Sequence, residues 1–215
     1  MTRPVLFDYW RSSASYRVRI ALNLLGIEHD TVAVDLLKGN QRGAENRARN
    51  PQGLVPSLEI DGSVLTQSLS IIEYLHETRE TGTLLPATPV ERQRVRAISH
   101  AIAMEIHPVC NLNTVAHVVK LMGGGDAEKI AWMQTFITNG LIAVEQMLAD
   151  GKTGTFCHGT TPTMADLCLV PQIYNARRWG VDLTEMPRAV EIDAACSEIA
   201  AFAAAHPDRI GPPAD

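Results

Sequence analysis

Apolar and polar positions follow two different regimes along this chain of 215 residues. Up to about residue 80, short apolar runs alternate with helical patterns. Val5–Tyr9 reads as a strand, Ser13–Leu25 as a helix ended by Gly26, and Thr31–Leu36 as a second strand. Leu37–Asn50 is polar and rich in Arg and Asn, which predicts an irregular or short helical connection. Ser57–Ile60 and Ser63–Thr66 flank Asp61-Gly62, the two-residue signal of a tight hairpin. Leu69–Thr78 then places Ile71, Ile72 and Leu75 at helical spacing. The order βαβ, connection, ββα requires a mixed sheet with one parallel pair and one antiparallel hairpin.

Beyond Thr81-Gly82-Thr83 the period is helical only. Thr88-Pro89-Val90-Glu91 combines an N-cap, Pro at the first helical position and a capping-box Glu. A long helix should follow, interrupted near Pro108 and stopped by Gly123-Gly124-Gly125. Asp126 is placed to cap the next helix, which Asp150-Gly151 ends, and Thr163-Met164-Ala165-Asp166 caps a third with the apolar run Leu167–Val170. A last helix is predicted from Pro187 to His206. The fold class is therefore α/β plus all-α: a thioredoxin-like domain over residues 1–82 and an all-helical domain over 88–212.

Composition narrows the possibilities. An apolar share of 46% and a mean hydropathy of −0.02 describe a globular chain with a sizeable core. The net charge of −5 offers no broad positive field for nucleic acid or an anionic membrane. An anionic ligand must be held by local groups. The four cysteines, Cys110, Cys157, Cys168 and Cys196, show neither C-x-x-C nor metal-ligand spacing, so reduced thiols and no metal are expected. The opening residues lack a signal-peptide core and no apolar run reaches about 18 residues, which points to the cytoplasm.

The chemistry concentrates at Arg11-Ser12-Ser13-Ala14-Ser15-Tyr16-Arg17-Val18-Arg19-Ile20-Ala21-Leu22. Small hydroxyl residues where a strand runs into a helix leave backbone N–H groups facing outward at the positive end of the helix dipole. An anion is stabilised there and a thiol ionises more readily. Ser12, Ser13 and Ser15 add hydroxyl donors, with Ser15 the simplest helix cap. This stretch resembles the SSCSxRVRIAL signature of the zeta-class glutathione transferases, which include maleylacetoacetate isomerase. Ala14 stands where that signature has Cys. Asn50–Pro56, Gln67–Leu75, Thr163–Gln172 and Asn175–Leu183 match the same class in order, so the likeness spans nearly the whole chain.

The resemblance implies glutathione as cofactor. Val55 and a cis Pro56 would pair with its extended backbone, Gln67 and Ser68 would hold its γ-glutamyl carboxylate, and Gln41 would meet its glycyl end, unless solvent exposure alone explains that residue. His107 and Asn111 fall in a stretch that approaches glutathione in the family. Ser12 would donate a hydrogen bond to the sulfur, with Ser13 and Ser15 as secondary candidates. Lowering a thiol pKa from about 8.5 to about 6.5 makes it roughly three-quarters ionised at pH 7. Arg11 and Arg178 match arginines that grip substrate carboxylates, a task suited to guanidinium. Arg17 and Arg19 match as well, with salt links that serve the fold as their expected role.

The implied reaction is glutathione-dependent cis–trans isomerisation of maleylacetoacetate to fumarylacetoacetate. The thiolate adds reversibly to a small dicarboxylate diketo acid and is recovered unchanged. Asn113 leans toward that substrate. Maleylpyruvate isomerisation, or a generic transferase acting on small electrophilic acids, is the alternative. A homodimer is implied by the resemblance alone. The first helix has no Cys, which excludes thioredoxin-type oxidoreduction.

Overall fold

A computed structural model describes residues 3–79 and 84–212. The sheet is built from β1 (Val5–Asp8), β2 (Asp30–Ala33), β3 (Ser57–Ile60) and β4 (Ser63–Thr66), in the spatial order β2-β1-β3-β4. β1 runs parallel to β2 and antiparallel to β3, with Leu6 opposite Thr31 and Leu58. The β3–β4 hairpin closes with Ile60 opposite Ser63. Asp61 and Gly62 both take positive φ, 52° and 75°, as a hairpin turn matched to strand twist demands. This is the thioredoxin-like order expected from the pattern.

Helix α1 (Ser13–Leu24) joins the two parallel strands, and α3 (Ser68–Thr78) follows the hairpin and packs on α1. Every residue from Ser15 to Leu22 is buried, so α1 is covered on more than one face. The second cover is α10 (Ala200–Ala205), from the far end of the chain. Arg19 ties these pieces together. Its guanidinium takes both Asp8 oxygens at 2.8 Å, the Trp10 carbonyl at 2.9 Å and the Ala205 carbonyl at 3.0 Å. Arg19 and Asp8 side chains are each 3% exposed, which satisfies the demand that a buried charge be paired and hydrogen-bonded. The salt link expected of Arg19 is present. Arg17 differs: its Nη1 donates to the Ser68 hydroxyl at 3.1 Å.

The connection from β2 to β3 contains a 3₁₀ turn at Asn40–Arg42 and the short α2 (Ala44–Arg49), in line with the polar pattern. The helices that follow are α4 (Pro89–His100), α5 (His107–Val109), α6 (Leu112–Leu121), α7 (Asp126–Met147), α8 (Met164–Arg178) and α9 (Pro187–Ser197). Thr88 caps α4 as predicted, accepting from the Glu91 N–H. The interruption expected near Pro108 starts earlier, as a π-helical stretch over Ala101–Ile106. Proline has no N–H and crowds the carbonyl four residues back, so the chain widens its turns before it. Gly140 on α7 accommodates that stretch, because a Cβ there would lie 2.3 Å from Ile106 Cγ1.

Two boundaries depart from the pattern. Gly125, not Asp126, is the N-cap of α7, and its N–H donates to the Glu128 carboxylate at 2.6 Å. The predicted helix from Pro187 to His206 breaks into α9, α10 and α11 (Pro207–Ile210). Ile199 takes an extended conformation at that break. The chain forms two compact units, one from the described residues of Met1–Leu85 and Ser197–Asp215, the other Pro86–Cys196. The segment from Ser197 onward thus groups with the sheet rather than with the helices read as 88–212. Hydrogen bonds from Arg19 to Ala205 and from Asn23 to Ala201 account for it. Glu80 and Thr81-Gly82-Thr83, where the pattern changes, lie outside the described residues.

Candidate active site

The start of α1 is organised by Ser12, which adopts the extended N-cap conformation and accepts the Ser15 N–H at 3.2 Å. Its backbone N–H is held by the Tyr9 carbonyl at 2.8 Å, which fixes the turn out of β1. The Ser12 hydroxyl thus uses a lone pair for the cap and keeps its proton to donate. Ser15 was the expected cap, and the structure corrects this. Ser15 is fully buried on the inner face of α1, where its hydroxyl finds no hydrogen-bond partner. Ser13 is also buried, at the first helical position. Arg11 is half-buried, its guanidinium 4.4 Å from the centre of the Trp10 ring.

Helix α3 begins differently. Gln67 is its N-cap with φ at +67°, and no side chain caps the helix. A non-glycine residue rarely adopts this conformation, and such strain concentrates where backbone is held for a ligand. The Gln67 amide instead donates to Gln52 Oε1 at 2.6 Å. Ser68 follows as the first helical residue, buried, with its hydroxyl accepting from Arg17. Its O–H proton remains for an acceptor beyond the helix end.

The Val55–Pro56 bond is cis, as the resemblance implied. The loop before it is held by two asparagines, Asn46, which is not among the expected site residues, and Asn50, which opens the matched stretch Asn50–Pro56. Asn46 donates to the Gln41 carbonyl at 2.9 Å, and Asn50 donates to the Leu54 carbonyl at 3.1 Å. Gly53, at φ +65°, permits a close approach, since a Cβ there would stand 3.2 Å from the Gln41 carbonyl oxygen. The i,i+4 spacing of Asn46 and Asn50 ahead of this glycine was the available signal. Gln41 is not the solvent-exposed loop residue considered from sequence. It is only 6% exposed and its Oε1 has no hydrogen-bond partner.

In the helical unit, His107 is half-buried in α5, and Asn111 is the N-cap of α6, accepting the Asn113 N–H at 3.0 Å. Arg178 is exposed at the end of α8, 5.2 Å from the Trp179 ring centre, and Lys129 stands 5.5 Å from the same centre. Arg177 pairs with Asp193 at 2.5 Å. Asp166 anchors the start of α8. Its carboxyl accepts from the Cys157 and Thr163 N–H groups, both at 2.7 Å. Burial pulls its pKa up while those donors work in the opposite direction.

The four cysteines are buried and unbridged. Burial pushes the Cys110 thiol up to about 11, and Cys157 and Cys196 well above their ordinary range. Burial thus disfavours the thiolate form of Cys110, Cys157 and Cys196. The entrance to α1, Ser12-Ser13-Ala14-Ser15, has no thiol of its own, so sulfur chemistry there needs a thiol-bearing ligand. The Ser12 proton and the uncapped α3 terminus suit a ligand carrying a thiol and a carboxylate, and the orphaned Gln41 oxygen suits a donor such as a peptide N–H. Among the described residues, no group of three or more His, Cys, Asp or Glu side chains is disposed to hold a metal ion.

Known proteins carry the same pattern. The family model for the glutathione S-transferase N-terminal domain matches residues 11–78. Maleylacetoacetate isomerase of Rhizobium meliloti (strain 1021) is 64% identical over 208 residues, covering 97% of this chain and 98% of that protein. The chain belongs to the zeta-class glutathione transferases. A solved zeta-class maleylpyruvate isomerase in its holo form superposes with a TM-score of 0.93 at 44% identity, covering 95% of this chain and 97% of the other. Maleylacetoacetate isomerase of Methylobacterium extorquens AM1, solved with bound malonate and glutathione, also gives a TM-score of 0.93. It is 36% identical and covers 98% of this chain and all of its own. Within this zeta-class frame, Ala14 is the departure, and it leaves the entrance to α1 without a thiol of its own. Among the described residues, no helix is long and apolar enough to cross a membrane.

Proposed function

We propose that the protein is a glutathione-dependent cis–trans isomerase that converts maleylacetoacetate to fumarylacetoacetate. The observation that carries this reading is the 64% identity, at nearly full length, to an isomerase of that name. Bound glutathione supplies a thiolate nucleophile and leaves unchanged. Ser12 donates a hydrogen bond at the α1 terminus and lowers the cost of the sulfur anion there. Ser13 and Ser15, both buried, stand behind it as secondary candidates. Val55 and Pro56 present backbone to the tripeptide, Gln67 and Ser68 take its γ-glutamyl carboxylate, and Gln41 takes its glycyl end. His107 and Asn111 complete the glutathione contacts from the helical part.

Arg11 and Arg178 take the two substrate carboxylates, a role supported by their chemistry and their matched motif positions. The glutathione contacts fall mainly within residues 1–82 and the substrate half within the helices of 88–196, and the enzyme works as a cytoplasmic homodimer. Purified protein with maleylacetone and a trace of glutathione tests the reaction. Loss of the cis absorbance with total thiol constant supports isomerisation, and stoichiometric thiol consumption overturns it in favour of conjugation. Side-by-side kinetics on maleylacetoacetate and maleylpyruvate decide the substrate.

A further inference from the structure

The helical unit holds a cavity of about 470 Å³, lined by none of the glutathione or substrate residues proposed above. That volume is in the range of small-molecule sites. One wall is the loop after α7, from Leu148 to Thr155, and the other is α9 from Arg188 to Ala195. Both walls are fixed from behind. Arg94 donates to the Asp150 carboxylate at 2.6 and 2.7 Å, to the Thr153 hydroxyl at 2.9 Å and to the Cys157 carbonyl at 2.6 Å. Across the cavity, the Glu145 carboxylate accepts the Arg188 and Ala189 N–H groups at 3.1 and 3.0 Å. A site held open in this way costs little to order when a ligand enters.

Two charged side chains of α9 line this space. Arg188 and Glu191 stand at i and i+3, which makes them neighbours on one helix face. They do not pair with each other. The half-exposed Arg188 guanidinium turns to Glu145, using Nη1 at 3.2 Å, and its other N–H groups have no partner among the described residues. Glu191 makes no ion pair among the described residues. Leu148, Ile192 and Ala195 add an apolar surface beside these charges. A simple anion would meet Glu191 and a simple amine would meet Arg188. A zwitterion satisfies both. We infer that the cavity binds a free α-amino acid with an apolar side chain, its carboxylate on Arg188, its ammonium on Glu191 and its side chain against Leu148, Ile192 and Ala195.

The experiment is calorimetric titration of the full chain with L-phenylalanine, 3-phenylpropanoate and 2-phenylethylamine, in saturating glutathione so that amino-acid head groups cannot enter the glutathione site. Each analogue lacks one charged head group, so phenylalanine should bind at least about tenfold tighter than either. Glu191→Gln should weaken phenylalanine about tenfold and leave 3-phenylpropanoate no weaker, and Ala195→Phe, which fills the cavity, should abolish binding. Neither substitution should change glutathione affinity. Should Ala195→Phe not fold, Ala195→Leu takes its place. No binding of phenylalanine at millimolar concentration, equal binding of the three compounds, or phenylalanine binding unchanged in Glu191→Gln or in the filled cavity overturns the inference.

Discussion

Replacing Ser12 by alanine separates two jobs that the structure assigns to one hydroxyl. The oxygen accepts the Ser15 N–H at 3.2 Å, so its loss uncaps α1 and should cost about 1 kcal/mol of stability. For a chain of this size that lowers the melting temperature by about 2–4 °C. The proton is the second job. A hydrogen bond to a charged partner contributes about 1.5–3 kcal/mol, which corresponds to a thiol pKa about one to two higher without it. If the bound thiol of the wild-type protein titrates near 6.5, its ionised share at pH 7 falls from roughly three-quarters to between about 3% and about 25%.

Turnover at pH 7 should therefore drop about three- to twenty-five-fold from ionisation alone, and recover as the pH is raised toward about 9. The assay is the ultraviolet thiolate absorbance of the glutathione complex as a function of pH, beside the pH profile of turnover. Glutathione affinity should change much less than turnover. An unshifted thiol titration in Ser12→Ala would refute the argument and transfer the role to Ser13 or Ser15, whose alanine variants are the matching controls.

Arg19→Met strands Asp8 as a buried carboxylate and should destabilise the fold by about 3–5 kcal/mol in chemical denaturation, with Asp8→Asn milder. Gly140→Ala gains about 1 kcal/mol of helix propensity but drives a methyl into Ile106, so a net loss of about 1–2 kcal/mol is expected. Pairing it with Ile106→Val should recover part of that loss; a stabilised Gly140→Ala would show that the π stretch yields freely. Asp150 is held below its ordinary 3.8 by its hydrogen bonds from Arg94. Its stabilising contribution is thus present above about pH 4 and disappears as the pH falls through the lower folded value. Asp150→Asn should flatten the acid limb of the stability curve and leave the neutral region lower, and an unchanged acid limb would contradict this.

The amino-acid sequence by itself determined whatever depends on near neighbours. The Asp61-Gly62 hairpin, the start of α1 at Ser13 (though not its cap) and the Thr88-Pro89-Glu91 cap were legible because turn geometry and helix starts are settled within a few residues. The order of strands and helices followed from periodicity, and the site segments from motif likeness. Partner choice was not legible. Arg17 meets Ser68 across 51 residues, Arg19 meets Ala205 across 186, and Gln41 lies buried in a loop whose polarity suggested exposure. The break that sends the chain from Ser197 onward to α1 was hidden for the same reason, since alanine-rich sequence carries helical propensity on either side of it. Periodicity says which residues seek burial. Only the closed tertiary structure decides which buried polar group answers which, because those pairings are selected by the cost of leaving any of them unmet.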